Sequence, residues 1–313
     1  MTNTGVAQKP SETALFAALR RALAHKEYKN ERFGPDDIAE VFLPPHFRFF
    51  LKFRRIRENT KNKLDASLPG VTEYMIARTA YFDRLFVDAL NDKTPQIVLL
   101  GAGYDSRALR FAGANRGTRI FELDAAPTQE RKVQCLRKAR IAIPEHLTFV
   151  PIDFNRESLG DALEKAGYKN DQKTLFIWEG VSYYLEMESV DRTLEFVSHA
   201  SHPESALAFD YTVSVSEENT DEAYGVKEFA QSMKEHHASE ELMFSIEEGG
   251  AEAFLRQRGL RMVDHLDNEE IESAFLLDEN GSLIGRMTGH FRFVLAVPDA
   301  SQEYENPSLP WRT

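Results

Sequence analysis

Apolar positions recur at helical spacing near the start of the chain, where Leu15, Phe16, Leu19 and Leu23 predict a helix over residues 12–26. A second helical stretch spans residues 37–53, and Pro44-Pro45 must end or bend it. The basic run Lys52-Phe-Arg-Arg-Ile-Arg57 reads as a solvated helix face, and a further helix follows over 71–90. No strand precedes residue 96, so residues 1–90 are expected to form an all-helical N-terminal cap. The pattern then changes to short apolar runs at 96–100, 118–123, 147–152, 174–178 and 206–211. Helical segments separate them, beginning at 107–112 and continuing at 128–141, 159–166 and 188–200. Such alternation predicts a parallel sheet built from strand–helix–strand crossovers. Residues 213–245 are polar and acidic and read as a helical insertion. A helix over 247–258 closes at Gly259, and the last two strands are expected at 260–266 and 290–297, with a short helical stretch and the turn signal Glu279-Asn-Gly-Ser between them. Residues 91–298 thus form the expected α/β domain, and 299–313 an irregular tail.

Bulk properties narrow the function. Of 313 residues 42% are hydrophobic and 28% charged, ordinary for a soluble globular protein. A net charge of −12 argues against nucleic acid as a partner, since phosphate binding depends on Lys and Arg. The single cysteine, Cys135, can form neither an intrachain disulfide nor a thiolate metal cluster. The N-terminus is too polar for a secretory signal, and no apolar run approaches the ~20 residues of a membrane span. The expectation is a cytoplasmic protein with no membrane partner.

Candidate chemistry starts at Val98-Leu-Leu-Gly-Ala-Gly-Tyr-Asp-Ser-Arg107, a buried strand turning tightly into a helix. Gly101 and Gly103 permit a backbone path and a close approach that a Cβ would block. Asp124 ends the next strand 21 residues beyond Gly103, where a carboxylate can bind ribose hydroxyls. A nicotinamide dinucleotide and S-adenosylmethionine fit these features equally, and so does a plain tight turn. Asp105 separates the cofactors: it would repel a pyrophosphate at the helix N-terminus, but it is tolerable beside a sulfonium and an ammonium. Arg78 or Arg107 could meet the one carboxylate of S-adenosylmethionine. Asp153-Phe154 follows the third strand, placed either to meet an adenine amino group and ring or to cap a helix beside a core ring. Glu179-Gly180 follows the fourth, where an acid offsets a positive aminopropyl group and glycine allows close approach.

The run Gly101-Ala-Gly-Tyr-Asp-Ser-Arg-Ala-Leu-Arg110 resembles the first motif of leucine carboxyl methyltransferase-like enzymes, class I S-adenosylmethionine-dependent methyltransferases. Ala77-Arg-Thr-Ala-Tyr-Phe-Asp83, Phe121-Glu-Leu-Asp124, Trp178-Glu-Gly-Val-Ser-Tyr-Tyr-Leu185, Phe209-Asp-Tyr211 and Asp37-Ile-Ala-Glu-Val-Phe-Leu43 extend the resemblance over roughly 35–297. It implies a Rossmann-like, seven-stranded, mostly parallel sheet whose last strand inserts antiparallel. It further implies that Arg78 grips the cofactor carboxylate and Asp124 the ribose, with Glu179 by the methionine portion and Asp153 and Phe154 at the adenine. Ser106 stands where the family usually has Thr.

The expected activity is O-methylation of a hydroxyl or carboxylate on a small metabolite, polyketide-like compounds included. Methylation of a protein or peptide C-terminal carboxylate is the alternative, and a nicotinamide oxidoreductase is a third reading. A carboxylate acceptor needs no base, whereas a hydroxyl acceptor must lose a proton, for which His236, His237 and His290 are candidates alongside plain structural roles. Tyr184 and Tyr211 either line the acceptor pocket or pack in the core. No metal-ligand motif is present, because the adjacent His236-His237 pair points apart on a helix.

Overall fold

A computed structural model of the chain describes residues 9–28, 32–214, 223–236 and 242–299. Five parallel strands come first: β1 (Gln96–Leu100), β2 (Arg119–Asp124), β3 (Leu147–Pro151), β4 (Thr174–Trp178) and β5 (Ala206–Thr212). β6 (Leu260–Leu266) and β7 (Phe291–Pro298) complete a seven-stranded sheet of order β3-β2-β1-β4-β5-β7-β6. β7 runs antiparallel to both of its neighbours, so the last strand inserts between β5 and β6 in the expected manner. The strand order reverses between β1 and β4, the place where open α/β sheets bind ligands beyond their carboxyl ends.

All five residues of β1 are buried, yet their neighbours alternate. Ile97 and Leu99 pack into one apolar layer and Val98 and Leu100 into the other, as the period of two in a strand dictates. The first layer lies under α4 (Val71–Asn91) and α11 (Asn268–Phe275). The second lies under α7 (Leu159–Lys165), α8 (Met187–His199) and α10 (Ala251–Arg256). α6 (Ala126–Ala139) follows β2, and its Gln129 amide donates to the carbonyls of Glu122 (2.7 Å) and Val150 (3.2 Å), tying helix to strands.

Every described element before β1 is helical: α1 (Glu12–Tyr28), a 3-10 turn at Ala39–Phe42, α2 (Pro45–Phe50), α3 (Arg54–Ser67) and α4. The prolines split the stretch expected at 37–53, with Pro45 at the first position of α2, where its missing N–H costs nothing. The basic run opens a separate 14-residue helix, α3, which buries no residue and so carries little of the periodicity that reveals a helix. After β1 the expected helix is only the single turn α5 (Arg107–Arg110). α10 starts at Ala251 rather than 247, because Gly249-Gly250 precedes it and Gly249 has φ of +74°. Within 213–245 the structure shows α9 (Val226–His236), while 215–222 and 237–241 lie outside the described residues, as does the tail from 300. Among the described residues no helix is long and apolar enough to cross a membrane, and no group of three or more His, Cys, Asp or Glu could hold a metal ion.

Candidate functional site

A cavity of about 770 Å³ opens where β1, β2, β3 and β4 end. The loop 101–107, Asp124, the segment 151–157 and Glu179–Glu186 form its floor, and α1 and α4 supply its roof through residues such as Ala14, Phe16, Tyr74 and Arg78.

The turn after β1 is built on glycine. Gly101 and Gly103 have φ of +66° and +50°, in the left-handed region, and a Cβ on Gly101 would lie 2.4 Å from Val181 Cγ2. The Gly103 N–H donates to Asp124 Oδ2 at 2.6 Å, and the Ala125 N–H to Asp124 Oδ1 at 2.7 Å, so the end of β2 clamps the loop. Burial pushes the Asp124 carboxyl up to about 6, with those two N–H donors opposing the rise.

Behind the loop, buried charges interlock. Arg107 donates through Nε to Asp83 (2.8 Å) and reaches Asp105 and Glu179 Oε2 (2.6 Å) through Nη1. Burial works against the Asp105 charge, but the adjacent Arg107 guanidinium prevails and holds the carboxyl below its usual range. Arg110 makes a two-pronged pair with Asp83, both contacts at 2.7 Å, and Arg21 pairs with Asp36 at 2.9 Å. Arg78 comes down from α4 with Nε 2.9 Å from Glu179 Oε1, and its Nη1 lies 3.3 Å from both the Tyr74 and Tyr183 hydroxyls. Asp210, fully buried on β5, accepts the Gly180 N–H at 2.7 Å and the Tyr74 hydroxyl, and burial raises its carboxyl above the ordinary value. Gly180 has φ of +73°, and a Cβ there would stand 2.7 Å from Arg78 Nη1. Arg78 Nε and Glu179 Oε2 sit at ion-pair distance from their partners, yet neither completes a hydrogen bond.

The structure therefore brings Arg78, Gly101, Gly103, Asp105, Asp124, Asp153, Phe154, Glu179, Gly180 and Tyr184 to one cavity. Asp153 Oδ1 accepts the Asn155 N–H at 3.1 Å, a local turn that leaves its other oxygen 3.6 Å from Arg156 Nε. Tyr211 is a correction. It lies in the core layer on the other face of the sheet, with its hydroxyl 2.9 Å from His265 Nε2, because its position on β5 has the parity of Phe209 rather than of Ala208. His290 does not line the cavity either. It is buried against Phe229 and Phe291, whose rings do line it, and burial drives its imidazole down to about 3, so the ring is neutral. The side chain of His236 and all of His237 lie outside the described residues.

Sequence reading missed Tyr74, Tyr183 and Asp36, which line the cavity, and Asp210 and Asp83, which pair with its arginines, although several fall inside the motifs quoted above. An acid such as Asp210 in mid-strand, flanked by Phe209 and Tyr211, was the available signal, since a buried carboxylate needs a partner. Part of the cavity lining is aromatic and apolar, with Phe16, Leu68, Val71, Tyr184, Phe229 and Phe291.

The family profile described as Leucine carboxyl methyltransferase matches residues 14–198. The chain is 30% identical to YktD of Bacillus subtilis (strain 168), provisionally named an S-adenosyl-L-methionine-dependent methyltransferase, over 90% of this chain and 96% of that protein. It is 31% identical to Rv0731c of Mycobacterium tuberculosis (strain ATCC 25618 / H37Rv), which bears the same provisional name, over 72% of this chain and 71% of that protein. In three dimensions it superposes with a TM-score of 0.58 on a Thermobifida fusca protein described provisionally as a methyltransferase, at 15% identity, covering 93% of this chain and 96% of the other.

Proposed function

The chain belongs to the leucine carboxyl methyltransferase family of S-adenosylmethionine-dependent methyltransferases, and from that premise we propose that it methylates the hydroxyl of a small, largely apolar metabolite. The cofactor supplies a methyl group already activated on a sulfonium. Its charge suits the cavity: four largely enclosed arginines (Arg21, Arg78, Arg107, Arg110) meet six carboxylates (Asp36, Asp83, Asp105, Asp124, Glu179, Asp210), an excess of two acids that favours a donor carrying net positive charge. Arg78 would hold the methionine carboxylate, and Glu179 would lie beside the ammonium, completing the bonds that its Oε2 and Arg78 Nε lack. Asp124 would accept from the ribose hydroxyls, and Gly101, Gly103 and Gly180 would let the backbone approach. Asp105 would keep Arg107 in place, and Asp153 and Phe154 would meet the adenine amino group and ring. In this division the sheet unit, 91–298, holds most of the cofactor, while the helical cap, 1–90, contributes Arg78 to it and roofs the acceptor, with α9 of the 213–245 insertion adding Phe229.

One observation favours a hydroxyl over a carboxylate acceptor. With Arg78 assigned to the methionine carboxylate, every other arginine lining the cavity already has a carboxylate partner, at 2.6 to 3.6 Å, and no lysine lines it among the described residues. An acceptor carboxylate would enter an apolar, acid-rich site with no cation to meet it, which is costly. A phenol or alcohol suits the aromatic wall. As its oxygen bonds the methyl carbon the carbon–sulfur bond breaks, S-adenosylhomocysteine leaves, and the hydroxyl proton passes to solvent at the cavity mouth. Catalysis then rests on holding that oxygen in line, an effect worth about 7–11 kcal/mol at best. The check is a panel of phenols, alcohols, carboxylic acids and peptides with free C-termini, incubated with methyl-labelled cofactor and read by mass spectrometry. Label on the oxygen of phenols or alcohols is expected. Label confined to carboxylates or peptide C-termini overturns the reading.

A further inference from the structure

The cap carries a surface that the methyl-transfer site does not use. From residue 45 to 56 every side chain except Leu51 is exposed. Phe47, Phe49, Phe50, Phe53 and Ile56 are among them, and Phe49, the most open, is 55% exposed. The Phe49 ring contacts those of Phe50 and Phe53 edge-on, at 5.9 and 5.3 Å, so three rings form one protruding cluster. Leu51 is buried beneath them, and Arg57 Nη1 donates to its carbonyl at 2.8 Å, which fixes the corner between α2 and α3. Arg48, Lys52, Arg54, Arg55 and Arg57 alternate with the rings along the chain; Glu58, which Arg54 meets at 2.7 Å, is the lone acid over 45–58, so the local charge is +4 in a chain of −12. Isolated exposed apolar residues need no explanation, but five within ten positions, interleaved with cations, do.

We propose that this α2–α3 corner docks on an anionic phospholipid surface, the rings entering the headgroup boundary and the basic side chains pairing with lipid phosphates. Exposed aromatics beside Lys and Arg on short surface helices are the composition of an interfacial membrane anchor. No residue between 44 and 67 lines the cofactor cavity or the small one beside Arg20 and Met75, and the phenylalanine rings stand 39–55% exposed. A bilayer accepts protruding rings, whereas a peptide partner would need a groove. A second copy packed about a two-fold axis would set +4 against +4, which is repulsive.

The test is co-sedimentation of the full chain with phosphatidylcholine vesicles, alone or mixed with phosphatidylglycerol, at about 0.1 and 0.5 M salt. Binding to the anionic vesicles only, weakened but not abolished by salt, is expected. The double variant Phe49→Asp/Phe53→Asp should lose about tenfold or more in vesicle affinity, and Arg54→Glu/Arg55→Glu should do the same through charge alone. Unchanged affinity for S-adenosylhomocysteine shows that each variant is folded. Failure of the wild-type chain to bind anionic vesicles overturns the proposal, as does equal binding by both variants. So does a dimer in sedimentation velocity that the Phe variant dissociates while vesicle binding is absent, which would assign the patch to contact between copies.

Discussion

Asp124 sits at a junction of three roles. It ends β2, clamps the glycine loop through the Gly103 N–H, and faces the cavity. Two backbone donors leave its carboxylate with acceptor capacity for a diol, and burial places its titration at about 6, above the ordinary 3.8. The sign of the consequence is fixed: above pH 6 the ionised group would accept from the ribose hydroxyls proposed for it, and below it the proton would compete for the same lone pairs. Affinity for S-adenosylhomocysteine should therefore fall about tenfold between pH 7 and pH 5, and Asp124→Asn should flatten the profile while weakening binding throughout. Calorimetric titration across that range checks it, and a flat wild-type profile would remove Asp124 from the ribose. At this scale the glycines, Asp105, Asp124 and Glu179 were legible because each stands at a strand end, where an apolar run stops. Tyr74 and Asp210 were not, because a residue inside a helix or strand gives no hint of the partner that tertiary folding brings to it.

The elements reach the site through buried contacts of their own. α6 is fastened to β2 by Lys132, whose Nζ lies 2.5 Å from Glu122 Oε2 with both side chains essentially inaccessible. Burial pushes the Glu122 carboxyl up to about 7, against the pull of the Lys132 charge. Removing the cation by Lys132→Met leaves a carboxyl buried without its partner, and about 3–5 kcal/mol of unfolding free energy should be lost. The urea midpoint measures this, and a shift worth less than about 1 kcal/mol would mean that Glu122 is protonated and content without the lysine. The strands were legible because apolar runs of five to seven residues are bounded by turns and acids. α3 escaped reading as a distinct helix for the opposite reason: Ile56, Leu64 and Ala66 are its only apolar residues, too few to mark a periodic face, and only Leu64 packs on a core cluster. α5 was overread, since the motif that marks its start says nothing of its length, and Phe111 leaves helical geometry after one turn.

For the whole molecule, sheet order and the antiparallel insertion of β7 place the cavity at the reversal between β1 and β4. Alternating strand and helix patterns indicated a parallel sheet, but the antiparallel last strand came through the family resemblance, because pairing direction leaves no mark in periodicity. The nicotinamide alternative falls with membership of a methyltransferase family, and Asp105 gives the physical reason: a buried acid, held ionised by Arg107, lies where a pyrophosphate would need N–H donors. Acceptor chemistry was least legible, since the aromatic wall draws Phe16, Val71, Phe229 and Phe291 from four separate segments. On the proposed reading, Arg78 holds the methionine carboxylate and Asp124 the ribose of the methyl donor in this cavity. Calorimetric titration of S-adenosylhomocysteine into the wild-type chain, Arg78→Ala and Asp124→Ala tests it most directly. One site per wild-type chain and at least tenfold weaker binding to each variant is the expected result, whereas wild-type affinity in both variants would contradict the assignment.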